Sequence, residues 1–136
     1  MVNALGRHVL LELSGCPYAL LNDIDFVRKN LKKAAEKAEV TIISENFNRF
    51  NPQGISGVLI IAESHISIHT WPEYEYAAID IFTCGDVVLP DRAEEYLIEA
   101  FRPSEYKSYL AKRGVLRENV PSAECEFEDR RATVVG

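Results

Sequence analysis

The chain is poor in cysteine and lacks the spacing that cysteine cross-links or zinc sites favour. It contains only Cys16, Cys84 and Cys125 among its 136 residues, and no CxxC pair occurs. An odd number of thiols without such spacing argues against a disulfide framework and against a structural zinc site. The fold must therefore be stabilised by its core, and a chain of this length suits one compact domain that can bury a core.

Long apolar runs are also missing. No segment approaches the roughly 20 apolar residues of a membrane-spanning helix. The N-terminus, MVNALGRHVLLELSG, has no long apolar region followed by a small-residue cleavage site. We therefore expect a cytoplasmic protein that does not bind a membrane.

An excess of positive charge is the third feature that the chain lacks. It has 21 acidic against 15 basic residues, and its formal net charge is −6. Nucleic-acid-binding surfaces are basic and clustered, so we expect no nucleic-acid partner. A negative protein attracts cations over long distances, which mildly favours a cationic small-molecule substrate.

The apolar pattern that is present favours strands over helices. We predict strands at residues 7–13, 40–50, 57–62, 65–71, 76–83 and 106–111. One helix is predicted from an Asn22 or Asp23 cap to about Glu39, and a second from Pro90 to about Phe101. This order predicts an α+β fold over residues 1–136, a two-layer sandwich in which a mostly antiparallel sheet has helices on one face.

Two parts of this predicted fold need further comment. Residues 113–136 are charged and weakly patterned, so we predict a loose tail apart from Val115 and Leu116. The sheet face away from the helices would be left without a partner. We therefore expect a homodimer that covers this face and produces an αββα arrangement.

Reactive side chains are concentrated in ESHISIHTWPEYEYAAIDIFTC, residues 63–84. This segment holds two serines, two histidines, one tryptophan, four acids and one cysteine in a setting that otherwise resembles buried strand. Polar groups are costly to bury, so their density here indicates a function.

A metal site is the first interpretation of this segment. His65 and His69 are four residues apart, and Cys84 could join them. The segment is β-branched and ends in proline, so a strand is expected, and four strand positions separate the two histidines by roughly 13 Å. Zinc ligands lie about 2.0–2.3 Å from their ion, so we predict no metal at these residues.

Nucleophilic catalysis is the second interpretation. Ser64, His69 and Asp80 supply the residue types of a hydrolase triad, but the chain has no G-x-S-x-G turn. Cys84 with His65 or His69 could form a Cys–His nucleophile, although a lone cysteine in an apolar strand is more often an inert core residue. Periodicity alone favours a plain core hairpin with hydrogen-bonded histidines over these active sites.

Four stretches of sequence resemble a known family. They are LGRH at 5–8, GISGVLIIAESH at 54–65, IHTWPEY at 68–74 and YAAIDIFTCG at 76–85. In order and content they closely resemble the prokaryotic S-adenosylmethionine decarboxylase proenzymes, over about residues 5–101. Beyond residue 101 the chain departs from the pattern expected of that family.

The resemblance implies an enzyme that makes its cofactor from its own backbone. The Glu63–Ser64 bond would be cut by autocatalytic serinolysis, giving a β chain of residues 1–63 and an α chain of residues 64–136. The cofactor would be a pyruvoyl group derived from Ser64, which forms a Schiff base with the substrate amine. Decarboxylated S-adenosylmethionine would then supply the aminopropyl group for spermidine and other polyamines.

The resemblance also implies roles for three further residues. His69 matches the processing base, Ser56 a second processing hydroxyl and Cys84 the proton donor for decarboxylation. A histidine suits base catalysis because its pKa lies near neutrality. Ser64 and His69 are separated by an odd number of positions and would face opposite sides of a regular strand, so we expect the chain to bend or turn near Ser64.

The substrate suggests candidate binding residues. Phe50 and Trp71 could stack on the adenine or contact the sulfonium, and Glu73 could bind the ribose hydroxyls. Core packing explains Phe50 and Trp71 equally well. A pyruvoyl-dependent arginine or ornithine decarboxylase of the same fold remains an alternative, as does an unprocessed paralogue that acts as a regulatory subunit.

Overall fold

A computed structural model of the chain describes residues 3–84 and 89–134. Gly85, the last residue of the YAAIDIFTCG stretch, lies outside these residues. The elements in chain order are β1 (Ala4–Ser14), α1 (Tyr18–Leu21), α2 (Ile24–Lys37), β2 (Thr41–Arg49), β3 (Ile55–Ala62), β4 (Ser64–Trp71), a 3₁₀ turn (Pro72–Tyr74), β5 (Tyr76–Cys84), α3 (Pro90–Phe101), β6 (Glu105–Arg117), β7 (Val120–Pro121) and β8 (Glu126–Val134).

The strands form one antiparallel sheet. Its order is β2-β3-β4-β5-β1-β6, and both β7 and β8 pair with β6. β1, the first strand in the chain, lies between β5 and β6 and is antiparallel to both. The prediction of an α+β fold with an antiparallel sheet is confirmed.

The two long helices form along the predicted segments because their ends carry suitable residues. Asp23 caps α2, and its Oδ1 accepts hydrogen bonds from the backbone N–H groups of Asp25 and Phe26. Pro90 occupies the first turn of α3, where its missing N–H costs nothing. Among the described residues, no helix combines the length and the apolar character needed to cross a bilayer.

The core lies between these helices and one face of the sheet. Alternate residues of each central strand point into it, and they pack against one side of each helix. The buried set includes Val9, Leu11 and Leu13 of β1, Ile66 and Ile68 of β4, Ile79 and Ile81 of β5, Leu31 and Ala35 of α2, and Leu97 and Phe101 of α3. Each of these residues is at most 3% exposed.

The other residues of the same strands point to the opposite face of the sheet, which we call the open face. No described helix covers it. Its side chains include the exposed Ile60 and Trp71, the exposed His69 and the half-buried Phe82. Aromatic and aliphatic groups therefore lie on this face beside the polar groups discussed below.

The prediction of a loose tail from residue 113 is wrong. β6 continues to Arg117, and β8 pairs with it from Glu126 to Val134. The strand was not predicted because β8 is a charged edge strand with little burial, so its sequence lacks the alternation of a half-buried strand.

Arg130 connects β8 to α3 through two ion pairs. Its Nη1 lies 2.9 Å from Asp91 Oδ1, and its Nη2 lies 2.5 Å from Glu94 Oε1.

Candidate active site

Ser64 lies at the tip of the hairpin that joins β3 to β4. Ile61 pairs with Ser64 across the hairpin, so only Ala62 and Glu63 form the connection. Glu63 is exposed and Ser64 is half-buried. The bond predicted to be cut, between Glu63 and Ser64, therefore lies in a tight and accessible turn.

Cys84 places a reactive side chain beside Ser64. It is the last residue of β5, the strand next to β4, and its Sγ lies 3.2 Å from Ser64 Oγ. Either group can donate the hydrogen bond. Two residues that the sequence assigned to different steps, cleavage and proton donation, are thus in direct contact.

Ser56 and His69 form a second pair. They lie opposite each other in the β3–β4 register, and Ser56 Oγ lies 2.7 Å from His69 Nδ1. The donor in this contact depends on the histidine tautomer. The two residues predicted to assist processing are therefore hydrogen-bonded to each other.

The two pairs lie apart within one chain. Five strand positions separate Ser64 from His69, which corresponds to roughly 16 Å along β4. The chain turns before Ser64, and β4 then runs without interruption to Trp71, so no bend brings His69 back. Each chain therefore carries two separate parts of the predicted catalytic group.

The three predicted substrate-binding residues meet at a cavity beside His69. Phe50, Trp71 and Glu73 line a concavity of about 220 Å³ together with Ser56 and His69. Trp71 is the last residue of β4, and the 3₁₀ turn that follows presents the exposed Glu73. A second cavity of about 330 Å³, lined in part by Asn46 and Asn48, shares Ser56 and His69 with the first.

The loop that carries Phe50 is held in place by backbone hydrogen bonds. The Phe50 N–H donates to Gly54 O at 2.8 Å, and the Gly54 N–H donates to Asn22 Oδ1 at 3.2 Å. Gly54 has a φ of 107°, which residues with a Cβ rarely adopt. The loop leaves the Phe50 ring 53% exposed and available for contact with a ligand.

Thr70 supports this cavity from beneath and was not singled out by its sequence. Its hydroxyl donates to Leu21 O at 2.8 Å and accepts from the Ile55 N–H at 2.9 Å, and the residue is 5% exposed. The hydroxyl joins α1, β3 and β4 behind His69 and Trp71. A buried threonine in an apolar strand was the available signal, because such a hydroxyl requires partners.

Asp80 lies in a third polar group on the open face. Its Oδ2 is 2.6 Å from His8 Nε2 and 2.8 Å from His65 Nε2, and its Oδ1 accepts a hydrogen bond from the Ser67 hydroxyl. Burial raises the pKa of the Asp80 carboxyl, but the hydrogen bonds from His8, Ser67 and His65 outweigh it, and the pKa falls to about 2. We call His8, Asp80 and His65 the His8–Asp80–His65 cluster, and Ser67 is its outer partner.

This arrangement does not assemble the other catalytic groups weighed from the sequence. Asp80 contacts His8 and His65, whereas a hydrolase triad would place it against His69. Cys84 contacts Ser64, whereas a Cys–His nucleophile would place it against a histidine. His8 was missed as a site residue, although it belongs to the LGRH stretch, because its partners come from distant parts of the chain.

The chain is similar to known proteins over most of its length. Residues 7–114 match the sequence profile of the S-adenosylmethionine decarboxylase family. The chain is 49% identical over 128 residues to the S-adenosylmethionine decarboxylase proenzyme of Thermodesulfovibrio yellowstonii, covering 92% of this chain and 95% of the relative. The corresponding proenzyme of Acetivibrio thermocellus is 46% identical, covering 90% and 98% of the two chains. The similarity thus extends beyond residue 101.

A solved structure extends the likeness to three dimensions. The crystal structure of the adenosylmethionine decarboxylase from Aquifex aeolicus VF5 superposes with a TM-score of 0.80 at 37% sequence identity. The superposition covers 86% of this chain and 97% of the other. From its sequence profile, its relatives and its fold, the chain belongs to the S-adenosylmethionine decarboxylase family.

Proposed function

We propose that the chain is a proenzyme that cuts itself between Glu63 and Ser64 and becomes a pyruvoyl-dependent S-adenosylmethionine decarboxylase of polyamine synthesis. The observation that carries this proposal is the position of Ser64. It lies at a hairpin tip beside the Cys84 thiol, in the stretch whose resemblance to the family implies the cleavage site.

The self-cleavage needs only water and side chains that this sequence contains. Ser64 Oγ attacks the carbonyl carbon of Glu63, and the amide becomes an ester through a tetrahedral oxyanion that a fixed donor must stabilise. A base removes the Cα proton of residue 64, and the Glu63 carboxylate leaves by β-elimination. The dehydroalanine that remains takes up water and releases ammonia, which leaves the pyruvoyl group at the new N-terminus.

The surroundings of Ser64 fit such a group. Residue 64 is half-buried, so the substrate can reach it while part of the solvent is excluded. When present, the pyruvoyl group would supply a ketone for the substrate amine and a conjugated amide carbonyl for the electrons released with carbon dioxide. Cys84, 3.2 Å from Ser64 Oγ, is placed to return a proton to the substrate carbon.

The separation of the two pairs supports a homodimer. Ser64 and His69 are roughly 16 Å apart along one strand, too far for a histidine to remove the Cα proton of residue 64. We propose that two chains pack through their open faces as an αββα sandwich. Ser56 and His69 of each chain then act on Ser64 of the other. Exposed apolar side chains on this face, such as Ile60 and Trp71, also favour such a contact.

The cavity beside His69 supports a nucleoside substrate. Phe50 and Trp71 offer aromatic faces for the adenine and the sulfonium, and Glu73 offers a carboxylate for the ribose hydroxyls. Its volume of about 220 Å³ lies below the roughly 300–1,000 Å³ of pockets that enclose whole ligands. We propose that one chain encloses only part of the substrate and that its partner completes the pocket.

A reducing compartment suits this mechanism. Cys84 must remain a free thiol to donate a proton, and no described cysteine is paired in the structure. Thiols persist in the cytosol. We therefore place the enzyme in the cytoplasm.

Intact-mass measurement of purified protein tests the proposal. We expect two fragments, residues 1–63 and residues 64–136, with the second blocked to Edman sequencing. Release of labelled carbon dioxide should be observed from carboxyl-labelled S-adenosylmethionine. Release from arginine or ornithine instead would identify the alternative decarboxylase. A fully uncut, inactive chain after prolonged incubation would favour the unprocessed regulatory paralogue.

A further inference from the structure

Three neighbouring strands place His8, Asp80 and His65 side by side on the open face. His8 comes from β1, Asp80 from β5 and His65 from β4, and β5 lies between the other two strands. Neither the self-cleavage nor the decarboxylation proposed above uses any of the three. A polar group of this kind, assembled from distant parts of the chain, requires its own explanation.

The three side chains converge on a small volume. The two histidine Nε2 atoms lie 2.6 and 2.8 Å from the same oxygen, Asp80 Oδ2. All three potential ligand atoms lie within 4.8 Å of one another. The second carboxylate oxygen, Oδ1, is held by the Ser67 hydroxyl. One carboxylate oxygen and two imidazole nitrogens therefore lie close enough together to share one ion.

The packing around the cluster holds the imidazoles in place. The Phe82 ring lies against both, with its centroid 5.0 Å from that of His8 and 5.7 Å from that of His65. Gly6 makes room for this ring, because a Cβ at Gly6 would lie 2.4 Å from Phe82 Cε1. The Arg113 guanidinium lies over the same ring, 5.2 Å from its centroid. Within one chain, the side chains of His8, Asp80 and His65 are 16%, 23% and 34% exposed, so none of the three is sealed inside the core.

We propose that His8, Asp80 and His65 bind one divalent transition-metal ion on the open face of the sheet. Two imidazole nitrogens and one carboxylate oxygen suit zinc, cobalt or iron, whereas calcium and magnesium prefer oxygen ligands alone. Three protein ligands leave at least one coordination position for water. Ser67 acts as an outer partner that orients the carboxylate.

Binding requires a small and chemically balanced rearrangement. Ligands about 2.0–2.2 Å from a tetrahedral ion lie roughly 3.4 Å apart, so the present contacts of 2.6 and 2.8 Å must open by roughly 0.6–0.8 Å, within reach of side-chain rotation. Each Nε2 gives up its hydrogen bond to Asp80 and donates a lone pair to the ion. In a neutral ring the proton moves to Nδ1, and a doubly protonated ring releases one proton to solvent.

The earlier expectation of no metal concerned a different set of residues. It considered His65 with His69 and Cys84, and the structure places His69 against Ser56 and Cys84 against Ser64. His8 and Asp80 were not weighed as ligands. The new site shares only His65 with that set, and it does not rest on the proposed decarboxylase activity.

The test uses the full-length chain with Ser64→Ala, so that every variant is compared in the same uncut state. Calorimetric titration with zinc chloride should give one saturable site per chain. Cobalt chloride should give visible absorption bands of a nitrogen and oxygen site, without the intense near-ultraviolet band of thiolate ligation. His65→Gln and Asp80→Asn should each weaken binding by at least about tenfold, and Ser67→Ala by about tenfold.

The third histidine of the chain supplies the matched control. His69→Gln removes an imidazole four residues from His65 on the same face, and it should leave zinc affinity unchanged. Absence of a saturable site, equal affinity in the His65→Gln and His69→Gln variants, or a thiolate band would overturn the proposal. If thermal unfolding shows that Asp80→Asn does not fold, His8→Gln takes its place with the same expected loss.

Discussion

Ser64 Oγ and Cys84 Sγ lie 3.2 Å apart, on neighbouring strands at the end of the β4–β5 ladder. The residue proposed to become the cofactor and the residue proposed to donate the proton are thus in contact before any bond is cut. Cleavage at Ser64 therefore needs no large movement to bring Cys84 to the new group. This contact allows the roles of the two residues to be separated experimentally.

Cys84→Ala should impair decarboxylation more than self-cleavage. Loss of a general acid lowers rates by about 10²–10⁴-fold, whereas the attack of Ser64 on its own carbonyl does not require a thiol. Intact mass measures cleavage, and labelled carbon dioxide measures turnover of the cleaved fraction. Cys125→Ser changes an exposed thiol and should leave both unchanged. Normal turnover in Cys84→Ala would contradict the assignment.

His69 should act across a dimer interface. A Ser64→Ala chain cannot be cut, and a His69→Ala chain should stall because it lacks the base. When the two chains are co-expressed with different tags, the His69→Ala chain should be cut in mixed dimers, because the Ser64→Ala chain supplies His69. Each variant expressed alone is the control. An uncut His69→Ala chain in purified mixed dimers would show that His69 does not act in trans.

Phe50→Ala should raise the KM for S-adenosylmethionine. Stacking of a base on an aromatic ring contributes about 1–3 kcal/mol, so the expected rise is about tenfold. Self-cleavage should be unaffected, because none of its proposed steps uses the Phe50 ring. Phe127→Ala is the matched control, since that ring is also exposed but stacks on Tyr109 of β6. An unchanged KM in Phe50→Ala would remove Phe50 from the pocket.

Thr70→Val should destabilise the fold by about 1–3 kcal/mol, because it leaves the Ile55 N–H and the Leu21 carbonyl buried without their partner. Valine keeps the shape of the side chain, so lost hydrogen bonds dominate the effect. Urea unfolding of the uncut Ser64→Ala chain measures it. Thr41→Val, at an exposed position of β2, should stay within about 0.5 kcal/mol. Equal stability of the two variants would contradict the structural role of Thr70.

Cys16 should make the fold sensitive to alkali. Burial, aided by the negative charge of Glu75, raises the pKa of the Cys16 thiol from 9.0 to about 12. Between these values the unfolded thiol ionises and the folded one does not, so the unfolded state binds fewer protons and stability falls as pH rises. The slope is at most about 1.4 kcal/mol per pH unit. Urea unfolding at pH 8 and pH 10 should show a smaller loss in Cys16→Ala than in the parent chain.

Local signals in the sequence were sufficient for most of the secondary structure. Asp23 and Pro90 mark helix starts by chemistry that depends only on neighbouring residues, and both helices begin there. β8 escaped prediction because an edge strand has little burial, and Arg130 finds its acidic partners on a helix far away in the sequence. The residues between 117 and 126 likewise gave no pattern.

The sequence could identify single residues of the site, but it could not show which of them lie together. Ser64, His69 and Cys84 were named through a resemblance, and their roles stay predictions. Their grouping depended on strand register: Ser56 faces His69 because β3 and β4 pair in one particular alignment, which no local pattern specifies. The His8–Asp80–His65 cluster depended on sheet order, because β1 is distant in sequence from β4 and β5 yet close in space.

The order of the strands determines whether the two fragments would separate after a cut between Glu63 and Ser64. β1 belongs to the segment before Glu63, yet it is inserted between β5 and β6 of the segment that follows. The two proposed products would therefore share one sheet, and neither could leave without breaking the ladders on both edges of β1. Scission at the hairpin tip would alter the chemistry of one residue while the two polypeptides remain a single folded body.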